Sequence, residues 1–206
     1  MGCVVVAAQQ GSASVDQGSS GTDLSTGRPP EQESSLLPFP EPSADSTTGA
    51  SSEAERTGGR PTRLLIPAIE VATHVVGLGL QDDGTVEVPS NPDRAGWYRH
   101  GAIPGTAGAA VLLGHVDSAT GPAVFARLGT LGRGDTIEVV LKRGRSVEFR
   151  VRAVQTYLND DFPARRVYRS RGDHHDLNLV TCAGEYRSDA GGYQSNVVVF
   201  ARQVRT

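Results

Sequence analysis

Between residues 63 and 203 the chain alternates short apolar runs with Gly, Pro, Asp and Asn, the texture of strands and turns. Two runs, Thr136-Ile137-Glu138-Val139-Val140-Leu141 and Ser146-Val147-Glu148-Phe149-Arg150-Val151, follow a largely two-residue alternation. That period belongs to half-buried strands. Lys142-Arg143-Gly144-Arg145 between them predicts a tight hairpin in which Gly144 supplies a positive φ. The second strand is expected to continue through Ala153, Val154 and Tyr157. Other runs lack the alternation. Gly108-Ala109-Ala110-Val111-Leu112-Leu113-Gly114-His115 is apolar on both faces and predicts a buried strand that ends on a histidine. Asp176-Leu177-Asn178-Leu179-Val180-Thr181-Cys182 predicts a strand that ends on a cysteine, and Asn196-Val197-Val198-Val199-Phe200-Ala201 predicts another.

Shorter strands are expected at 63–67, 71–80 and 85–89, with Gln81-Asp82-Asp83-Gly84 as a turn. Pro122-Ala123-Val124-Phe125-Ala126-Arg127-Leu128 predicts a helical turn or two that packs Val124, Phe125 and Leu128. The pattern therefore gives seven or eight strands and little helix, an all-β domain. Closure into a β-barrel is the economical way to remove their edges.

Residues 1–59 read differently. They are rich in Ser, Gly, Thr, Pro, Glu and Gln, and Phe39 is their one aromatic residue. Such a segment cannot bury enough apolar surface to offset its chain entropy, so a disordered spacer is expected there. Pro29-Pro30, Pro38-Phe39-Pro40 and Pro42 favour extended stretches within it. The compact domain is expected over 60–206, about 147 residues, enough for one core. Met1-Gly2-Cys3-Val4-Val5-Val6-Ala7-Ala8 is far too short to span a bilayer, which takes about 20 residues. Two readings of 1–8 stay open: an ordinary apolar start, or the remnant of a longer membrane anchor.

The formal charge is −3, and no basic run is interleaved with stacking aromatics, so nucleic acid is not expected as a partner. The two cysteines, Cys3 and Cys182, make no disulfide framework and no paired-Cys zinc site. A bond between them would tether a floppy tail to a core strand and is not expected. His174-His175 suggests a metal only weakly, because adjacent side chains on an extended chain point to opposite faces.

Two strand ends carry the candidate chemistry, His115 and Cys182. A side chain at the end of a core strand is held by packed neighbours and still faces the barrel rim. Thiol catalysis needs the thiolate. A nearby imidazolium stabilises that anion and later supplies a proton to a leaving amine. Asp117 is a candidate to orient His115. Trp97 and Tyr98 are read equally as groove lining or as core.

The ordered set of Gly114-His115 after an apolar strand, Leu179-Val180-Thr181-Cys182, and Val197-Val198-Val199 resembles the sortase family. Ala95-Gly96-Trp97-Tyr98 and Ile103-Pro104-Gly105 resemble its actinobacterial, class E/F-like branch. The resemblance covers about residues 62–203. It implies a closed eight-stranded β-barrel with short helices. It also implies a cysteine transpeptidase on the extracellular face of a Gram-positive cell membrane. The residues themselves suggest no cofactor or metal, and the scattered Asp and Glu leave calcium open. Such enzymes cleave a Leu-Pro-X-Thr-Gly-like sorting signal after Thr and hold the acyl group as a thioester. They pass it to an amine of peptidoglycan or of another surface protein such as a pilin. Cys182 would be the nucleophile and His115 the acid/base, with Thr181 helping to shape the substrate site. Membrane contact is expected only through an anchor mostly absent from this sequence.

One departure stands out. The family usually places an arginine at the entrance of the last strand, where Gly192-Tyr193-Gln194-Ser195-Asn196-Val197 has none. Asn196 at that place and Arg187 in the preceding loop are rival donors to the oxyanion or substrate. Two other functions stay open: a hydrolase in which water resolves the thioester, and a catalytically weak peptide-binding module, whose only support is the missing arginine.

Overall fold

The computed structural model describes residues 59–169 and 173–204. The spacer expected over 1–59, with its apolar start at 1–8, lies outside the described residues except for Gly59. Strands follow one another as β1 (Pro61–Ile66), β2 (Val71–Leu78), β3 (Ala95–Tyr98), β4 (Gly108–Leu113), β5 (Asp117–Ser118), β6 (Gly121–Pro122) and β7 (Thr136–Leu141). Next come β8 (Ser146–Leu158), the short helix α1 (Ala164–Tyr168), β9 (His175–Arg187) and β10 (Gly192–Gln203). Eight strands close into a barrel in the order β1-β2-β3-β4-β9-β10-β8-β7, and β5 pairs with β6 outside it. β2 with β3 and β4 with β9 are the parallel pairs of the barrel.

The alternating runs become its curved hairpin. Ile137, Val139 and Leu141 of β7 and Val147, Phe149 and Val151 of β8 point inward and are buried. At the tip Lys142, Arg143 and Gly144 form a three-residue loop closed by the Leu141 N–H on Arg145 O at 2.8 Å, and Arg143 shares the positive φ with Gly144. The doubly apolar runs have a different cause. Leu112, Leu179 and Val199 face the barrel interior. Val111, Leu113, Val180 and Val198 face outward, yet are covered by a second cluster that includes Phe162, Val167 and Tyr168 around α1. β4 and the middles of β9 (177–182) and β10 (195–199) are therefore buried on both faces.

Several expectations change in detail. The strand expected at 85–89 reduces to one bridge between Leu80 and Val86, because the Glu87 carboxylate accepts from the Gly79 N–H instead of standing in a ladder. After Pro122 of β6, residues 124–127 form turns that lead into a 3₁₀ segment (Leu128–Thr130), and Phe125 and Leu128 are fully buried as expected. The loop expected at 185–192 shortens to 188–191: β9 runs to Arg187, which pairs with Gly192 at the start of β10. Trp97 belongs to the core and donates its indole N–H to the Ala102 carbonyl at 3.0 Å. Among the described residues no helix is long and apolar enough to cross a membrane.

Candidate active site

The parallel pairing of β4 with β9 sets Leu112 beside Leu179 and Leu113 beside Val180. Two residues further along each strand stand His115 and Cys182. Parallel strands lie about 4.8 Å apart, so this register brings two side chains distant in sequence to one rim. Both line a cavity of about 480 Å³, together with Ser90, Pro92, Asp117, Tyr186 and Tyr193.

The strand ends are tied to each other below the cavity. The Gly114 N–H donates to Val180 O at 3.2 Å, and the Thr181 hydroxyl donates to Gly114 O at 2.8 Å. Thr181 is thus buried in the barrel wall, where its hydroxyl fixes the spacing between the two reactive strand ends rather than lining the cavity. A Cβ on Gly114 would come within 2.6 Å of the Phe125 ring and 2.8 Å of Val124. Glycine lets the chain pass that close, and the Phe125 N–H then holds the His115 carbonyl at 2.9 Å.

The His115 ring is fixed as well. Its Nε2 lies 2.6 Å from Pro89 O. A carbonyl only accepts, so Nε2 carries the proton and Nδ1 is the nitrogen that this bond leaves unengaged. The same carbonyl can also support the doubly protonated ring. Cys182 is only 3% exposed and is in disulfide-bonded form. The disulfide argued against from sequence involves Cys3, which lies outside the described residues. Nucleophilic chemistry at Cys182 requires its reduced form.

Asp117 turns away from the role of orienting His115. Its Oδ2 accepts from the Tyr193 hydroxyl at 2.5 Å. That bond, with burial and the neighbouring negative charge adding to it, pushes Tyr193 up to about 12. Tyr186 meets the Tyr193 ring edge-on at 5.2 Å. The β9–β10 hairpin is thereby joined to the segment after β4 across the cavity. Sequence reasoning missed this wall and the Pro89 carbonyl. Tyr193 carried no pattern pointing to Asp117, and a backbone acceptor has no residue-type signature.

Asn196 is the direct β10 partner of Cys182 and is completely buried. Its Nδ2 donates to Asn159 Oδ1 at 2.9 Å, and Asn159 Nδ2 donates to Tyr193 O at 2.7 Å. Among the described residues the Asn196 Oδ1 is buried without a hydrogen-bond partner. Arg187 is half exposed and pairs with Asp189 at 2.9 Å. Neither rival donor lines the cavity. His174 and His175 lie away from it, and His175 Nδ1 is 2.7 Å from Gln203 Oε1.

The Sortase domain model matches residues 64–204. No curated protein matches the chain. Solved structures share its barrel at low identity. Sortase C-1 from Actinomyces oris is 20% identical over 70% of this chain and 72% of its own, with a TM-score of 0.55. Sortase A from Corynebacterium diphtheriae is 19% identical over 79% of this chain and 72% of its own, with a TM-score of 0.55. Sortase C1 from Streptococcus agalactiae is 17% identical over 79% of this chain and 80% of its own, with a TM-score of 0.56. With the family model matching residues 64–204, almost the whole described domain, the chain belongs to the sortase family of cysteine transpeptidases.

Proposed function

We propose that the protein is a surface transpeptidase that cleaves a Leu-Pro-X-Thr-Gly-like sorting signal after Thr. It passes the acyl group to an amine of peptidoglycan or of another surface protein, at the extracellular face of the cell membrane. The observation that carries this reading is the shared cavity of His115 and Cys182 at neighbouring parallel strand ends. The reduced Cys182 sulfur attacks the Thr carbonyl carbon, and the C–N bond breaks as His115 gives its proton to the leaving amine. A thioester remains. An incoming amine attacks it, His115 takes the proton back, and the C–S bond breaks to restore the thiolate.

The test is intact-mass analysis of the full chain, under thiol reductant, with a panel of Leu-Pro-X-Thr-Gly-like peptides. The expected result is an adduct equal to the peptide fragment ending in Thr, released by hydroxylamine. Added amine should convert that adduct to a ligated peptide. Acid product alone in the presence of amine would identify a hydrolase instead, and no adduct with any peptide would overturn the proposal.

The donor to the developing oxyanion is expected to be shared between backbone N–H groups and Asn196, whose Nδ2 must turn from Asn159 toward the cavity to serve. Losing one preorganised donor costs roughly 10²–10³ in rate, and a partial share correspondingly less. Asn196→Ala should therefore lower kcat/KM at least about tenfold while circular dichroism shows an intact fold. Arg187→Ala should be mild, because its guanidinium is committed to Asp189 at a half-exposed position. Steady-state kinetics giving the reverse order would move the role to Arg187.

A further inference from the structure

Between α1 and the outer faces of β8, β9 and β10 runs a second groove, of about 1210 Å³. Its nearest β9 residue, Asn178, is four positions from Cys182, about 13 Å along a strand. Five guanidinium groups line it: Arg165, Arg166 and Arg169 from the α1 side, Arg152 from β8 and Arg202 from β10. Asp176 is the one carboxylate among its lining residues, and it accepts from Arg202 at 2.9 Å. Arg166 donates to Gln155 Oε1 and the Tyr157 hydroxyl, and its guanidinium sits 4.2 Å from the Phe200 ring centre. Those partners hold Arg166 in place without offsetting its charge. Among the described residues Arg152, Arg165 and Arg169 make no ion pair.

Such crowding of like charge is relieved by an anion. The arginine fork matches phosphate and carboxylate oxygens two at a time. The groove volume is many times the roughly 30 Å³ of one water, so there is room for several anionic groups. An acidic peptide fits the site less well. Extended peptides gain affinity by adding to a sheet edge, and the closed barrel offers none. A nucleic acid would want free aromatic faces, and Phe200, a half-buried ring of the groove, is already covered by Arg166. A flat bilayer would not reach charges set on opposite walls of a groove. We infer that this groove binds a soluble chain of closely spaced phosphate groups, an oligophosphate or a phosphodiester polymer without bases.

The test is calorimetric titration of the full chain with sodium tripolyphosphate at low ionic strength. Saturable binding is expected, with Kd raised at least about tenfold in the Arg165→Glu/Arg169→Glu variant and also in Arg152→Glu, from the opposite wall. Thermal melts check that both variants fold. Poly-L-glutamate should bind more weakly than tripolyphosphate, and phosphatidylglycerol vesicles should not sediment the protein. The proposal is overturned if tripolyphosphate does not bind, if binding survives both variants, or if poly-L-glutamate binds as tightly. Vesicle sedimentation that the Arg165→Glu/Arg169→Glu change abolishes would make the ligand a bilayer surface and overturn it too. None of these readouts depends on Cys182, so the result stands or falls apart from the transpeptidase reading.

Discussion

Cys182→Ala is expected to abolish acyl-enzyme formation, with turnover of a sorting-signal peptide falling on the order of 10⁵–10⁶-fold to background. No other group described at the cavity can form a thioester: its remaining side chains are hydroxyls, a carboxylate, an imidazole and apolar groups. The variant should still fold. In the reduced protein Cys182, 3% exposed, packs as a small apolar residue, so removing one sulfur atom costs on the order of 1 kcal/mol. Cys3→Ala, assayed in parallel under reductant, should leave turnover unchanged. Intact-mass analysis and steady-state rates on the two variants decide the matter, and near-normal turnover by Cys182→Ala would sink the mechanism.

The barrel was legible because closure imposes a simple rule on sequence. Strands with one solvated face alternate, as 136–141 and 146–151 do. Strands covered on both faces do not, as 108–113 and 177–182 show. What the sequence left hidden is the origin of the second cover. It comes from α1 and Phe162, Val167 and Tyr168, a segment too short to show helical periodicity. Strand ends were also hard to read. Gly191 and Gly192 read as loop, yet only Gly191 lies in the turn, while Gly192 already pairs with Arg187. The 85–89 run shows the opposite error. Its alternation is real, but its backbone pairing stops at a single bridge before Pro89.

The candidate site was legible as a pair of residue types, not as a geometry. His115 and Cys182 end apolar runs, and the parallel β4–β9 register then sets them side by side. The supporting contacts were beyond reach because each joins segments that no local pattern connects. The Tyr193–Asp117 bond spans 76 positions, and the bond from Thr181 to Gly114 O spans 67. Asn196 illustrates a middle case. Counting along the last strand put it at the place of the family's usual arginine; the pairing sets it beside Cys182, but its amide is turned to Asn159. An isolated amide at that level and a donor already committed to Asn159 are indistinguishable in sequence.

The second large effect is expected at His115. His115→Ala removes both the cation that stabilises the thiolate and the acid that protonates the leaving amine. General acid–base catalysis alone contributes about 10²–10⁴, so kcat/KM on an amide sorting-signal peptide should fall by about 10³ or more. A structural role for the ring would predict a different pattern. The ring is held by one bond to Pro89 O, while its backbone carbonyl is held separately by the Phe125 N–H. Truncation to Ala should therefore spare the strand end and the peptide KM, placing the loss in kcat. The leaving group separates the two duties of the imidazole. An activated ester of the same acyl group leaves without a proton, so its acylation should suffer less in His115→Ala than cleavage of the amide does. Added imidazole should restore part of the amide activity, since the vacated space adjoins an open cavity of about 480 Å³. Steady-state kinetics on the amide and ester substrates, with and without imidazole, measure all three effects. A His115→Ala enzyme within tenfold of wild type on the amide would remove His115 from the reaction, and equal losses on amide and ester would confine it to activating the thiol.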